Sequence, residues 1–233
     1  MPRPSRLAAG SGARQQRAER ILDVTADLLN KHGYRRVTID DVARLSGIGK
    51  GTVYLHWHTR EALFWAVLQR EAVDLFEKVL VDLRRDPWFA LPHALMRAMF
   101  VEVAGRPLVR ALLLADAEVL GGLAEDETVR SAQQEMAGNP DYLTLMKDAG
   151  VLRAGLSPEA AGHVLGSVML GFFGADSGAL PLAERADLLA EVLRRSLEVD
   201  DPAPERVAAF GTEVVAMFRT MIDAHRDRLQ AAY

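Results

Sequence analysis

The 233-residue sequence contains no cysteine. That excludes disulfides and thiolate metal sites, and it suits a reducing compartment, so a cytoplasmic protein is expected. No apolar run approaches the roughly 18 residues that a membrane span requires. The arginine-bearing start is followed by no apolar core, so no secretory signal is expected. No stretch alternates apolar and polar residues as a half-buried strand does, and no repeat of fixed period is found. What remains is a folded globular chain, 49% apolar and 26% charged, long enough to bury a large core.

The net charge of −4 is unevenly spread. Residues 1–60 hold 11 Lys+Arg against 5 Asp+Glu, whereas residues 61–233 hold 17 against 27. A basic segment followed by an acidic one suggests that the first faces a polyanion and the second does not.

Helical signals run along almost the whole chain. Residues 1–13, rich in Pro, Gly, Ser and Arg, read as a flexible basic tail. Ile21, Val24 and Leu28 begin an amphipathic pattern that Gly33 closes. Thr38, with Asp41 three residues on, is a capping-box start for a short helix that stops at Gly47. A second short helix is predicted over 49–57, and a long one over 60–85 with Thr59 as its cap. Pro107, Asn139-Pro140 and Ser157-Pro158 punctuate the rest, with further helices predicted over 107–121, 158–174, 182–199 and 204–229. The fold class is all-α: an N-terminal three-helix head (14–75) joined by a long helix to an α-helical body (76–233).

The stretch "SGIGKGTVYLHWHTREAL" (46–63) resembles a phosphate-binding loop. A nucleotide P-loop needs glycine where Arg44 stands, and a dinucleotide fingerprint needs glycine where Thr52 stands. Both also need an upstream strand, and here the upstream element is a capped helix. A helix-turn-helix meets the spacing: two short helices around a turn at Gly47, the second able to enter a major groove. Lys50 and Thr52 then lie in its first turns, Gly51 lets the backbone approach DNA, Tyr54 and His56 offer polar tips, and Val53 and Trp57 face inward.

The segment "TIDDVARLSGIGKGTVYLHWHTREAL" (38–63) closely resembles the DNA-binding segment of the tetracycline-repressor (TetR) family of bacterial transcriptional regulators. The resemblance covers about residues 15–75 together with the overall layout. It implies that Thr38, Lys50, Thr52, Tyr54 and Arg60 contact DNA phosphates, with Gly51 and His56 on or beside that surface. Two residues depart from the usual pattern. Gly49 replaces a serine or alanine, which weakens the start of the recognition helix, and Trp57 replaces a phenylalanine. Among the tail and first-helix arginines (Arg3, Arg6, Arg14, Arg17, Arg20), Arg17 is carried forward as a DNA contact, with a solvated tail as the alternative. The resemblance further implies a ligand-responsive homodimer, most simply a repressor that a small apolar effector releases from a palindromic double-stranded operator. The alternative is a helical ligand- or partner-binding protein whose head has lost specific DNA reading.

Met96, Met99, Phe100, Met136, Tyr142, Met146, Met169, Phe172 and Phe173 form a methionine and aromatic set spread over several body helices. Such a set suits an adaptable effector cavity, and it equally suits ordinary core. Gly162, Gly166, Ser167, Gly171 and Gly174 recur along one helix, where small residues permit close helix approach. The approach is either between two subunits, making Gly162, Gly166 and Gly171 interface candidates, or within one. His56 and His58 are two apart and diverge on a helix, so no metal site is expected. His93, His163 and His225 stand alone, no catalytic grouping is evident, and neither enzymatic activity nor a cofactor is expected.

Overall fold

The computed structural model describes residues 6–125, 127, 140–175 and 180–231. Among these the chain is helical, and the only β-type pairing is an isolated bridge between Leu152 and Glu198. The helices are α1 (Arg6–His32), α2 (Ile39–Ser46), α3 (Lys50–His56), α4 (Arg60–Arg85), α5 (Pro92–Ala104), α6 (Pro107–Leu114), α7 (Ala117–Leu120), α8 (Pro140–Asp148), α9 (Pro158–Gly174), α10 (Leu182–Leu197) and α11 (Pro204–Ala231). Short 3-10 turns follow α1, α4 and α7.

The local chemistry accounts for most of the boundaries. Thr38, Thr59 and Ser157 each accept a hydrogen bond from a first-turn N–H, at Asp41, Ala62 and Ala160. Such caps satisfy donors that a helix start leaves without partners. Gly47 ends α2 at φ 69° and ψ 33°, a left-handed conformation that glycine adopts without steric cost. Two expectations change. The segment read as a tail is helical from Arg6 onward: no proline lies between Pro4 and Pro87, and Ala8, Ala9 and Ala13 favour the α1 helix continuing backward. The helix predicted over 107–121 is split. Ala115 turns left-handed at φ 50°, and the Asp116 carboxylate accepts from Glu118 and Val119 N–H to start α7.

Two apolar clusters organise the chain. The larger gathers the second half of α4 with α5, α8, α9, α10 and α11, centred on Leu75, Leu95, Phe100, Met146, Leu193 and Phe210. The smaller joins α1, α2, α3 and the first half of α4 around Ile21, Leu22, Val53, Trp57 and Phe64. It also takes in Leu108, Ala111, Leu112, Leu120, Leu123 and Leu229, so body elements complete the core of the head. Since α4 contributes to both clusters, the two parts share a continuous support.

His93, read as isolated, is paired. The buried Glu198 carboxylate accepts from His93 N–H at 2.8 Å and lies 2.8 Å from its Nδ1, tying the end of α10 to the start of α5.

Candidate nucleic-acid interface

The exposed side of α2 and α3 is built by the burial of their other side. On α3, Val53, His56 and the capping residue Trp57 are buried, at 0%, 6% and 2% exposure. Helical spacing then turns Lys50, Gly51, Tyr54 and Leu55 (i, i+1, i+4, i+5) outward. All four are exposed, and nothing lies within 4 Å of where a Gly51 Cβ would stand. Gly49, in the N-cap position, supplies no side-chain hydrogen bond, so α3 starts without a cap as its sequence predicts.

Thr38 sits at the start of α2, where its hydroxyl accepts from Asp41 N–H at 3.2 Å and donates to Asp41 Oδ2 at 2.7 Å. Those hydrogen bonds from Thr38, followed by that from Arg44, hold the Asp41 carboxyl below its usual pKa. Lys50 Nζ donates to Asp40 Oδ2 at 2.9 Å, and this contact raises the ammonium pKa. Thr52 is half-buried beside them and Arg17 is exposed on α1.

Arg60, at the start of α4, is more constrained than its sequence position implies. Its guanidinium lies 4.4 Å from the centre of the Tyr34 ring and 5.5 Å from that of Phe64, and Nη1 donates to the Val37 carbonyl at 3.4 Å. Tyr34 OH donates to Glu61 Oε1 at 2.8 Å. That bond is the main cause holding the Glu61 carboxyl low, while burial, then Glu61, raises the Tyr34 phenol.

His56 corrects the sequence reading. It is buried beside Trp57, with ring centres 5.4 Å apart, rather than presenting a polar tip to solvent. Residues 53, 56 and 57 form one inward stripe, a helical periodicity already visible in the sequence. Burial first, then the positive charges of Arg14 and Arg17, lower the imidazole pKa. His58 is exposed, so the two histidines do not converge.

Sequence reasoning missed three features. Leu55 is 72% exposed on the outer face of α3, a position implied once Val53 and Trp57 are assigned inward. The Asp40–Lys50 pair and the stacking of Arg60 on Tyr34 link residues 10 and 26 apart in sequence, with no local signal.

In the body, Phe100, Tyr142, Met146, Met169 and Phe173 are buried in one cluster, with Met96, Met99 and Phe172 packed against it. Phe100 meets Phe172 edge-on at 6.1 Å and Phe173 at 5.2 Å. Tyr142 OH donates to the Ala90 carbonyl at 2.7 Å. Met136 lies outside the described residues. Of the small residues on α9, Gly162 packs within the chain, where an added Cβ would stand 3.1 Å from Leu143 Cδ1. Gly166 is half-buried, and Gly171 is exposed with open space before it. Leu170, Leu188 and Val192 are exposed on α9 and α10. Among the described residues, no helix is long and apolar enough to cross a membrane.

Comparison with known proteins places this geometry. The family model described as "Bacterial regulatory proteins, tetR family" matches residues 21–67, the segment from α1 through the start of α4. QacR, an HTH-type transcriptional regulator from Staphylococcus aureus, is 38% identical over 53 residues, which are 23% of this chain and 28% of QacR. The structure of SmeT, the repressor of the Stenotrophomonas maltophilia multidrug efflux pump SmeDEF, superposes with a TM-score of 0.60 at 20% identity, over 80% of this chain and 92% of that one. The transcriptional regulator FadR from Bacillus subtilis, in complex with stearoyl-CoA, superposes with a TM-score of 0.57 at 16% identity, over 75% and 96%. These likenesses show the fold across the chain, and the regulator-family model matches within its head, at residues 21–67.

Proposed function

For a chain that belongs to the tetR family of bacterial transcriptional regulators, we propose the role of a homodimeric, cytoplasmic repressor that reads a palindromic operator and is released from it by a small apolar effector. The observation that carries this reading is the outer face of α3. Lys50, Gly51, Tyr54 and Leu55 stand exposed on a short helix whose other side is locked into the head core. Thr38 and Arg60 flank that face at the starts of α2 and α4, and Arg17 adds a further exposed positive charge from α1. Phosphate contacts from Lys50, Thr38, Thr52, Tyr54 and Arg60 would set register. Two heads related by a two-fold axis would occupy successive major grooves about 34–36 Å apart.

The body supplies the remaining parts. The Met and aromatic cluster between α5, α8 and α9 is the candidate effector site, because methionine side chains adapt to irregular apolar shapes. FadR, with its bound stearoyl-CoA, supports an apolar occupant for this fold. Exposure of Leu170, Gly171, Leu188 and Val192 favours α9 and α10 for the subunit interface, with Gly162 packing against Leu143 within the chain. Release requires that the effector bind better to a body conformation in which the head spacing no longer fits the operator, with coupling of about 1–3 kcal/mol.

The test is selection of duplexes from a randomised library by the purified chain, followed by anisotropy titration. An inverted repeat bound at least about 10³-fold tighter than scrambled DNA, weakened by Lys50→Ala and by Tyr54→Ala with the dimer intact, is the expected result. Selection that enriches no sequence would return the function to the body alone, as a helical ligand- or partner-binding protein.

A further inference from the structure

The body touches the head at Tyr34, the ring on which Arg60 stacks. Gly121, between α7 and the 3-10 turn that follows it, adopts φ 55° and ψ −132°, a backbone conformation suited to glycine. A Cβ at this position would lie 2.8 Å from Tyr34 Cε1 and closer still to Cδ1. Glycine therefore lets the backbone at residue 121 approach the ring closely. The other constraints on Tyr34 come from the head: Phe64 meets it edge-on at 5.2 Å, and Glu61 accepts its hydroxyl. The ring is thus closed in, only 7% exposed, and carries the Arg60 guanidinium 4.4 Å above its centre. Leu120 and Leu123, on either side of Gly121, are buried in the head cluster, so this contact is part of the core.

We infer that Gly121 is a positioning residue for DNA binding: it seats the Tyr34 ring, and the ring presents the Arg60 guanidinium to the DNA backbone. The inference rests on the assignment of Arg60 to the DNA surface and adds how the body controls it. A shift of the α7 segment removes the support behind Tyr34, and Arg60 loses its stacking platform without any change in α3. A flexible arginine is costly to order on each binding event, whereas a guanidinium already stacked on an aromatic face is held near its bound position. The body segment therefore acts on affinity through one side-chain contact as well as through the spacing of the heads.

The experiment is a double-mutant cycle on the full-length chain, titrated against a short mixed-sequence duplex at several salt concentrations. Arg60→Ala is expected to lower the slope of log affinity against log salt by about 0.9 per head, the signature of one lost phosphate contact. Gly121→Ala and Tyr34→Leu are each expected to lower slope and affinity in the same direction, with affinity falling about threefold per head. Neither should add to the loss in an Arg60→Ala background. Thermal melts accompany each variant, and Tyr34→Leu, which keeps bulk without a ring, carries the test if Gly121→Ala loses its fold. Wild-type slopes for Gly121→Ala and Tyr34→Leu beside a reduced slope for Arg60→Ala overturn the inference, as do losses that add. An Arg60→Ala variant that binds like the wild type overturns it by another route, removing Arg60 from the interface while leaving the Lys50 and Tyr54 assignments standing.

Discussion

Lys50 Nζ and Asp40 Oδ2 lie 2.9 Å apart, so the lysine proposed to meet a DNA phosphate is already bonded to a carboxylate of the preceding helix. Both side chains are half or more exposed, at 50% and 69%. An exposed pair of this kind contributes little to folding. Its bearing is on binding, because any phosphate that takes Lys50 displaces Asp40 and approaches a negative charge.

Asp40→Asn is therefore expected to tighten binding of mixed-sequence DNA severalfold at low salt, with the gain shrinking as salt is raised. Lys50→Ala should weaken binding and diminish the effect of the Asp40 change. Titrations of the two single variants and the double variant check this. Equal affinities of wild type and Asp40→Asn at low salt would show that the pair has no influence on DNA.

His56 gives the head a pH dependence whose sign follows from its surroundings. Burial and the charges of Arg14 and Arg17 depress its pKa in the folded state, below the ordinary value of 6.5. Its contribution to stability is then fully present above about 6.5 and is lost as pH falls from there through the folded-state pKa, since the unfolded chain takes up the proton first. His56→Gln should show a smaller fall in melting temperature than the wild type between about pH 8 and pH 5. Parallel melting curves for the two proteins would remove His56 from the account.

Thr38 and Ser157 cap helices by the same geometry, accepting from the N–H three residues on at 3.2 Å each. Replacing either by alanine should cost about 1 kcal/mol of stability. Thr38→Ala alone should weaken DNA binding, because Ser157 caps α9 in the body. Denaturant titration paired with DNA titration separates the two effects; equal DNA affinities in the two variants would leave Thr38 with capping alone.

Leu188 is 47% exposed on α10 and Leu170 is 58% exposed on α9. If these helices form the subunit interface, Leu188→Glu should convert the dimer to a monomer with its helix content intact and should abolish cooperative operator binding. Sedimentation at several concentrations reads the outcome. A dimer that persists in both Leu188→Glu and Leu170→Glu places the interface elsewhere.

Much of this protein could be read residue by residue, because its signals are local. Thr38, Gly47, Thr59 and Ser157 mark helix ends through their own side chains or backbone freedom, and the structure places each helix end where they stand. Arg44 and Thr52 standing where the nucleotide motifs need glycine, with a capped helix upstream, excluded a nucleotide loop, and two short helices around a turn at Gly47 pointed to a helix-turn-helix. Even the burial of His56 and the exposure of Leu55 follow from the phase of a helix with Val53 and Trp57 inward.

Tertiary structure alone decided which distant residues share a side-chain environment. Nothing near Arg60 in sequence shows that Tyr34 lies beneath it, or that Gly121 lies against Tyr34. Nor does composition show that Leu120, Leu123 and Leu229 complete the core of the head, or that Gly162 is used within one subunit while Gly171 faces outward. The physical reason is range. Caps, turns and helical phase are set by backbone geometry within about four residues. Cation–π stacking, a close approach at glycine and the closing of an apolar cluster depend on how whole helices are laid against one another, and one chain position does not encode that by itself.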